Sequence, residues 1–200
     1  MTPQKTIHIV DDDPAVRDAL SVVFTLEGYS VCVFSNAADF LGAVRQSVPD
    51  CVLLDVHMPG KSGLDVLREL GASDFRAPIF VISGQGDIPM AVRAIKDGAF
   101  DFIEKPFDAD TVVQRVAEAI AAEDHRPRTG TQRHSFAGAE RLTFREMDVL
   151  REITSGATNK EAGRRLGISP RTIEVHRARI MEKLGARNTA DLVRIVLSGD

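Results

Sequence analysis

The chain has 200 residues, 44% of them hydrophobic and 27% charged, with a formal net charge of −4. That length holds one large domain or two ordinary ones, and the composition excludes a disordered or low-complexity chain. No apolar run approaches ~20 residues, which excludes a membrane-spanning helix.

The opening stretch Met1-Thr2-Pro3-Gln4-Lys5 lacks the apolar core of a signal peptide, so a cytoplasmic protein is expected. Cys32 and Cys51 both lie in apolar strand-like runs and read as reduced core residues. Charge is unevenly spread. Residues 1–122 carry a net −8, residues 140–200 a net +3, and the 17 between them +1. An acidic first part suits a site organised around a cation. A modestly basic last part is compatible with nucleic acid but weak as a signal.

In chain order, Ile7 to Val10 is a first strand, ending at Asp11-Asp12-Asp13. Pro14 then opens a helix, with Ala15, Leu20, Val23 and Leu26 as its apolar side and Gly28 as its stop. Val31 to Phe34 is a second strand. Asn36 caps a helix through about Arg45, with Phe40, Leu41 and Val44 inward. Cys51-Val52-Leu53-Leu54-Asp55 is a continuous apolar run closed by one carboxylate and followed by Met58-Pro59-Gly60, the pattern of a strand buried on both faces. Leu64 to Leu70 is helical, Pro78 to Ser83 a fourth strand, Pro89 to Lys96 a helix, Phe100 to Glu104 a short fifth strand, and Asp108 to Ala122 a closing helix.

Five βα units with short connections predict a five-stranded parallel sheet, doubly wound, with helices on both faces. All strand C-termini then share one edge, where ligands collect in such sheets. Asp11, Asp12, Asp55, Ser83 and Lys105 each sit at or just past a strand end. Close carboxylates repel and invite a cation. Hard oxygen donors open to water favour Mg²⁺, held by Asp11, Asp12, Asp55 and the backbone carbonyl of His57. Asp55 ends the central strand and is the nucleophile this arrangement favours, since carboxylates form acyl phosphates. Lys105 and Ser83 supply positive charge and a hydroxyl donor to phosphoryl oxygens. Taken alone, each piece has a bland reading: the Asp run as a solvated helix cap, Lys105-Pro106 as a surface turn, His8 as a packed strand residue. The convergence of five residue types on one edge is the argument.

Residues 5–122 resemble a response-regulator receiver domain. The motifs are Val10-Asp11-Asp12-Asp13, Leu54-Asp55-Val56-His57-Met58-Pro59-Gly60 with Gly63, Val81-Ile82-Ser83-Gly84, and Phe102-Ile103-Glu104-Lys105-Pro106-Phe107. The resemblance implies that Asp55 takes phosphate from a phosphohistidine on a sensor histidine kinase, that the Asp11–Asp12 pair binds Mg²⁺, and that Ser83 and Phe102 move together as the switch. Phe102 lacks a hydroxyl, so its part runs through packing. In the resembled family the face around helix 88–97 dimerises on phosphorylation, which assigns Val92, Ile95 and Lys96 to a homodimer interface.

Glu123 to Ala139, with Pro127, Gly130 and Gly138 and little apolar periodicity, reads as a flexible linker in which His125 and His134 carry no site. The receiver thus spans 1–122, the linker 123–139 and a second domain 140–200. In that domain Thr143 and Glu146 form a capping box before a helix with Phe144, Met147, Val149, Leu150 and Ile153 inward. Asn159 caps a helix from Lys160 to Leu166. Ser169 caps a longer one with Pro170 at its first position, running to Leu184, and Asn188 opens a fourth, through Leu197. The short turn Gly167-Ile168-Ser169 makes a helix-turn-helix.

On the helix 170–184, Ile173, His176, Ile180 and Leu184 form the core stripe. Arg171, Glu174, Val175, Ala178 and Arg179 face outward, able to read base edges in a major groove. Lys160, Arg177 and Lys183 suit phosphates. Residues 142–197 resemble the LuxR-type DNA-binding domain through Leu142-Thr143-Phe144-Arg145-Glu146, Gly156-Ala157-Thr158-Asn159-Lys160-Glu161 and the run Gly167 to Arg177. With the receiver in front, the chain looks like a FixJ-type regulator. That resemblance implies double-stranded DNA and RNA polymerase as partners. Ala162-Gly163 departs from the family, which usually has a larger apolar residue followed by alanine. Either the small pair admits a close approach, or the helix gives up about 1 kcal/mol of stability. An aspartyl-phosphate phosphatase is the enzymatic alternative, but Val56 and His57 stand where its acid/base carboxylate two residues on would be needed. A pure protein-docking module is the other alternative.

Overall fold

The structure is a computed structural model that describes residues 4–71, 75–84, 88–124, 136 and 138–197, leaving out the side chains of Ile88, Glu140 and Phe144. The chain divides into two compact units, Met1–Glu123 and Asp124–Asp200.

The first unit alternates β1 (Thr6–Val10), α1 (Pro14–Leu26), β2 (Ser30–Phe34), α2 (Ala37–Val44), β3 (Cys51–Asp55), α3 (Gly63–Leu70), β4 (Ile79–Ser83), α4 (Ile88–Lys96), β5 (Asp101–Glu104) and α5 (Ala109–Asp124). All pairings are parallel and the order is β2-β1-β3-β4-β5. This is the doubly wound, flavodoxin-like sheet the alternation predicts. β3 and β4 are buried at every position, so their sequences are continuous apolar runs without alternation.

β2 is different because it is an edge strand. Cys32 and Val33 are exposed, which corrects the reading of Cys32 as core; Cys51 is buried and its thiol is pushed above its ordinary range by burial. The α1 face is also corrected. Leu20 and Phe24, one turn apart, point into the core, whereas Leu26 is exposed. α2 buries Phe40, Leu41 and Val44 as expected.

The second unit holds a 3-10 turn (Ala139–Arg141), α6 (Phe144–Thr154), α7 (Asn159–Leu166), α8 (Pro170–Leu184) and α9 (Thr189–Leu197). Thr143 and Glu146 cap α6 reciprocally, and Ser169 with Pro170 starts α8. The cap of α7 is Thr158, not Asn159. Thr158 accepts from the Glu161 N–H and Glu161 reaches back to the Thr158 N–H, a complete capping box. Asn159 becomes the first helical residue. The stretch read as linker is corrected at both ends: Glu123 and Asp124 continue α5, and Ala139 begins the 3-10 turn. Most of what lies between, including His125 and His134, is outside the described residues.

Candidate functional site

The strand ends of the first unit converge as the topology requires. Asp11 directly follows β1, Asp55 and Ser83 are the last residues of β3 and β4, and Lys105 follows β5. Backbone bonds hold the edge: Val56 N–H to Ile82 C=O at 3.0 Å, and Lys105 N–H to Ser83 C=O at 2.8 Å. The Lys105–Pro106 peptide is cis.

Asp11 and Asp55 are both buried, at 2% and 4% exposure. Lys105 Nζ donates to Asp11 Oδ2 and to Asp55 Oδ1, each at 2.8 Å. The remaining oxygens take backbone donors. Asp11 Oδ1 accepts from the Asp13 N–H at 2.9 Å and Asp55 Oδ2 from the His57 N–H at 2.5 Å. Burial raises the Asp11 pKa, outweighing the Lys105 and Asp13 hydrogen bonds, and the neighbouring Asp55 charge adds to the rise. Burial works against the Lys105 ammonium, but its bonds to both carboxylates prevail and its pKa is raised. One ammonium thus serves two buried carboxylates, which leaves the edge negative.

The local backbone is built for this contact. A Cβ on Gly63 would lie 2.2 Å from the Asp55 carbonyl oxygen. The Gly63 N–H donates to Val56 C=O at 3.0 Å, so α3 starts pressed against the end of β3. Only glycine permits that approach.

Arg17 of α1 donates to the Asp11 backbone carbonyl at 2.7 Å, a support for the acidic loop that periodicity gave no sign of. Asp13 is turned away from the carboxylate pair and caps α1 through the Ala15 N–H. Asp12 is exposed. Among the described residues no three Asp, Glu, His or Cys side chains converge as a metal-binding group. The expected trio of Asp11, Asp12 and Asp55 is therefore a pair drawn together by Lys105, with Asp12 adjacent to Asp11 only in the chain. Ser83 is fully buried and Phe102 half-buried. On α4, Val92 is half-buried and Lys96 exposed, but Ile95 is 2% exposed. Ile95 belongs to the core and is removed from the expected dimer face.

In the second unit α7, the turn Gly167-Ile168-Ser169 and α8 form the helix-turn-helix. Gly167 ends α7 at φ 65°. A Cβ on Gly163 would lie 2.6 Å from the Ile168 carbonyl oxygen. Glycine at position 163 is thus required by close approach of the turn, and Ala162 beside it is buried. Ile173, His176 and Ile180 are buried. Arg171, Glu174 and Ala178 are exposed and Val175 half-buried, and Lys160 is exposed on α7. Arg164, one turn after Lys160 and also exposed, extends that row and escaped the sequence reading.

Three residues expected at DNA also have partners within the domain. Glu146 is fully buried, and Lys183 Nζ donates to its Oε2 at 2.6 Å while Arg179 Nε lies 3.7 Å from Oε1. Burial opposes the charge on Glu146, but the Lys183 bond, the Thr143 N–H and both cations hold its pKa below the ordinary range. Arg177 donates to Asn159 Oδ1 at 3.0 Å and Thr189 Oγ1 at 2.9 Å, tying α8 to both neighbouring helices.

Two families match this chain in the places the geometry marks. "Response regulator receiver domain" matches residues 7–117, and "Bacterial regulatory proteins, luxR family" matches residues 140–196. The chain is a DNA-binding response regulator. The regulator is 38% identical over 198 residues to the transcriptional regulatory protein FixJ of Bradyrhizobium diazoefficiens, covering 98% of this chain and 97% of that one. It is 42% identical over 193 residues to the response regulator protein TmoT of Ectopseudomonas mendocina, covering 96% and 88%. Among solved structures it resembles full-length FixJ from B. japonicum at 37% identity and TM-score 0.58, covering 99% and 98% of the two chains. StyR follows at 36% identity and TM-score 0.57, covering 98% and 99%. A receiver joined to a luxR-family regulatory domain makes the chain a transcription regulator and not an enzyme of the phosphatase kind.

Proposed function

We propose that the regulator accepts a phosphoryl group on Asp55 from a sensor histidine kinase and, once charged, dimerises and controls transcription from specific DNA sites. The observation that carries this is Lys105 Nζ bridging Asp11 and Asp55 at 2.8 Å. A buried carboxylate at a parallel-sheet edge, with an ammonium on one oxygen, is placed to attack phosphorus while its own charge is balanced.

The donor set fits Mg²⁺. Two buried carboxylates share a single ammonium, and the exposed Asp12, next to Asp11 in the chain, offers a third hard oxygen donor if its side chain turns to them. Asp11, Asp12, Asp55 and the His57 carbonyl would hold the ion. When bound, it supplies positive charge to the phosphoryl oxygens. Lys105 then exchanges its bond to the Asp55 carboxylate for one to a phosphoryl oxygen. The Ser83 hydroxyl turns toward another, and Phe102 fills the space that Ser83 leaves.

The new group brings roughly two negative charges. We assign the resulting dimer face to Val92 and Lys96 on α4. The working domains are a receiver that ends with α5 at Asp124, a linker after it, and a DNA-binding domain that begins with the 3-10 turn at Ala139. Arg171, Glu174, Val175 and Ala178 read bases, and Lys160 and Arg164 meet phosphates. A regulator of DNA acts where DNA and RNA polymerase are, in the cytoplasm. Incubation with acetyl phosphate and Mg²⁺ followed by intact-mass measurement tests the first step. One added phosphoryl group on the wild type and none on Asp55→Asn is expected. Equal labelling of both would remove Asp55 as the acceptor.

A further inference from the structure

The Ser83 side chain is already engaged, with His57 and Met90. Its Oγ shares a hydrogen bond with His57 Nδ1 at 3.3 Å and donates toward Met90 Sδ at 3.6 Å. His57 belongs to the loop after β3, two residues beyond Asp55. Met90 belongs to α4. The Ser83 backbone is fixed, because its carbonyl accepts from the Lys105 N–H and the residue ends a fully buried strand. Any turn toward a phosphoryl group on Asp55 is therefore a change of side-chain rotamer, and it gives up both contacts.

We propose that His57 and Met90 are positioning residues that hold the Ser83 hydroxyl in its resting direction and so set how readily the site accepts a phosphoryl group. The inference rests on the phosphoryl-acceptor reading of Asp55. A hydroxyl carries one proton. In the resting state His57 Nδ1 and Met90 Sδ both lie within its reach, and where the ring nitrogen carries a proton the sulfur is still an acceptor. In the charged state the hydroxyl proton is needed by a phosphoryl oxygen. The charged state is thus favoured by whatever weakens the resting contacts, as in any two-state equilibrium. The Met90 contact also gives α4 a direct report of the event. When Ser83 turns, the helix that carries Val92 and Lys96 loses this contact with the end of β4. The His57 ring is exposed, so its bond competes with water and its worth lies at the low end for a hydrogen bond.

The test is the affinity of the full chain for beryllofluoride, a phosphoryl mimic, in saturating Mg²⁺, read from amide NMR spectra. His57→Phe keeps a planar ring without a nitrogen, and Met90→Leu keeps the shape without a sulfur. Each should tighten the mimic, and the double variant should do so about threefold, the factor of a weak net hydrogen bond. In a Ser83→Ala background, where nothing is left to hold, the same substitutions should have no effect. Unchanged affinity in His57→Phe, or the same tightening with and without Ser83, would overturn the proposal. A wild-type chain that takes up no beryllofluoride would instead remove the phosphoryl-acceptor reading, and this inference with it.

Discussion

Lys105 Nζ stands 2.8 Å from Asp55 Oδ1 and 2.8 Å from Asp11 Oδ2, one ammonium between two buried carboxylates. The pairing spans 94 residues of sequence on one side and 50 on the other. It explains why the resting edge holds together without being neutral, and it sets the first expectation.

Asp11→Asn should stabilise the metal-free regulator. Burial and the Asp55 charge raise the Asp11 pKa, so ionised Asp11 costs the fold stability at any pH above its folded pKa. That cost fades as pH falls through the folded value. Removing the charge leaves Lys105 and Asp55 as a matched pair. A gain on the order of 1 kcal/mol is expected in denaturant unfolding near neutral pH, together with loss of the stabilisation that added Mg²⁺ gives the wild type. A destabilised variant would contradict the electrostatic account.

Gly63→Ala should damage both fold and acceptor. The new Cβ meets the Asp55 carbonyl oxygen, a backbone atom that cannot move without shifting the acceptor. Overpacking of this kind costs about 1–3 kcal/mol. Acetyl-phosphate labelling of the folded fraction should slow as well, and wild-type labelling kinetics would mean that the loop relaxes freely.

His176 should make the second unit acid-sensitive. Both ring nitrogens are buried with no hydrogen-bond partner among the described residues. Burial, aided by the Arg145 charge, pushes its pKa down to about 3. The fold holds the neutral ring, so unfolding takes up a proton below the ordinary histidine pKa. Stability is full above about pH 6.5 and falls as pH drops toward 3, by about 2 kcal/mol at about pH 5. Unfolding curves recorded against pH should show this slope, and His176→Leu should flatten it.

The corrected roles on α8 separate by salt dependence. Arg171→Ala should relax selectivity by about 1–3 kcal/mol, since Arg171 reads a base. A uniform loss across sequences, with the slope of log affinity against log salt lowered by about one, would place it on a phosphate. Lys183→Met should leave the slope alone and cost about 3 kcal/mol of stability, because buried Glu146 loses its closest cation. A lowered slope in Lys183→Met would return that lysine to the DNA.

The fold was legible because each βα unit announces itself locally: an apolar run, a turn, then an amphipathic stretch. The site was legible because the topology forces strand ends together. What escaped were relationships with no local period. Nothing in the run Val31 to Phe34 says it will be an edge strand, so Cys32 looked like core. The helical stripe through Ile95 does not say which side meets the sheet. Arg179 and Lys183 looked outward by spacing alone, and their partner Glu146 lies more than thirty residues away. Thr158 was readable in principle, since Glu161 stands three residues on, the capping-box signal. Asn159 beside it was an equally good cap by residue type.

The central claim is that the charge state of Asp55 governs DNA binding. Selection from random duplex DNA, run at fixed salt with acetyl phosphate and Mg²⁺, tests it most directly when wild type and Asp55→Asn are compared. The account predicts that a specific sequence, with half-sites about one helical turn apart, is enriched by the phosphorylated wild type. The unphosphorylated wild type and Asp55→Asn should not enrich it. Equal enrichment by Asp55→Asn would contradict the account.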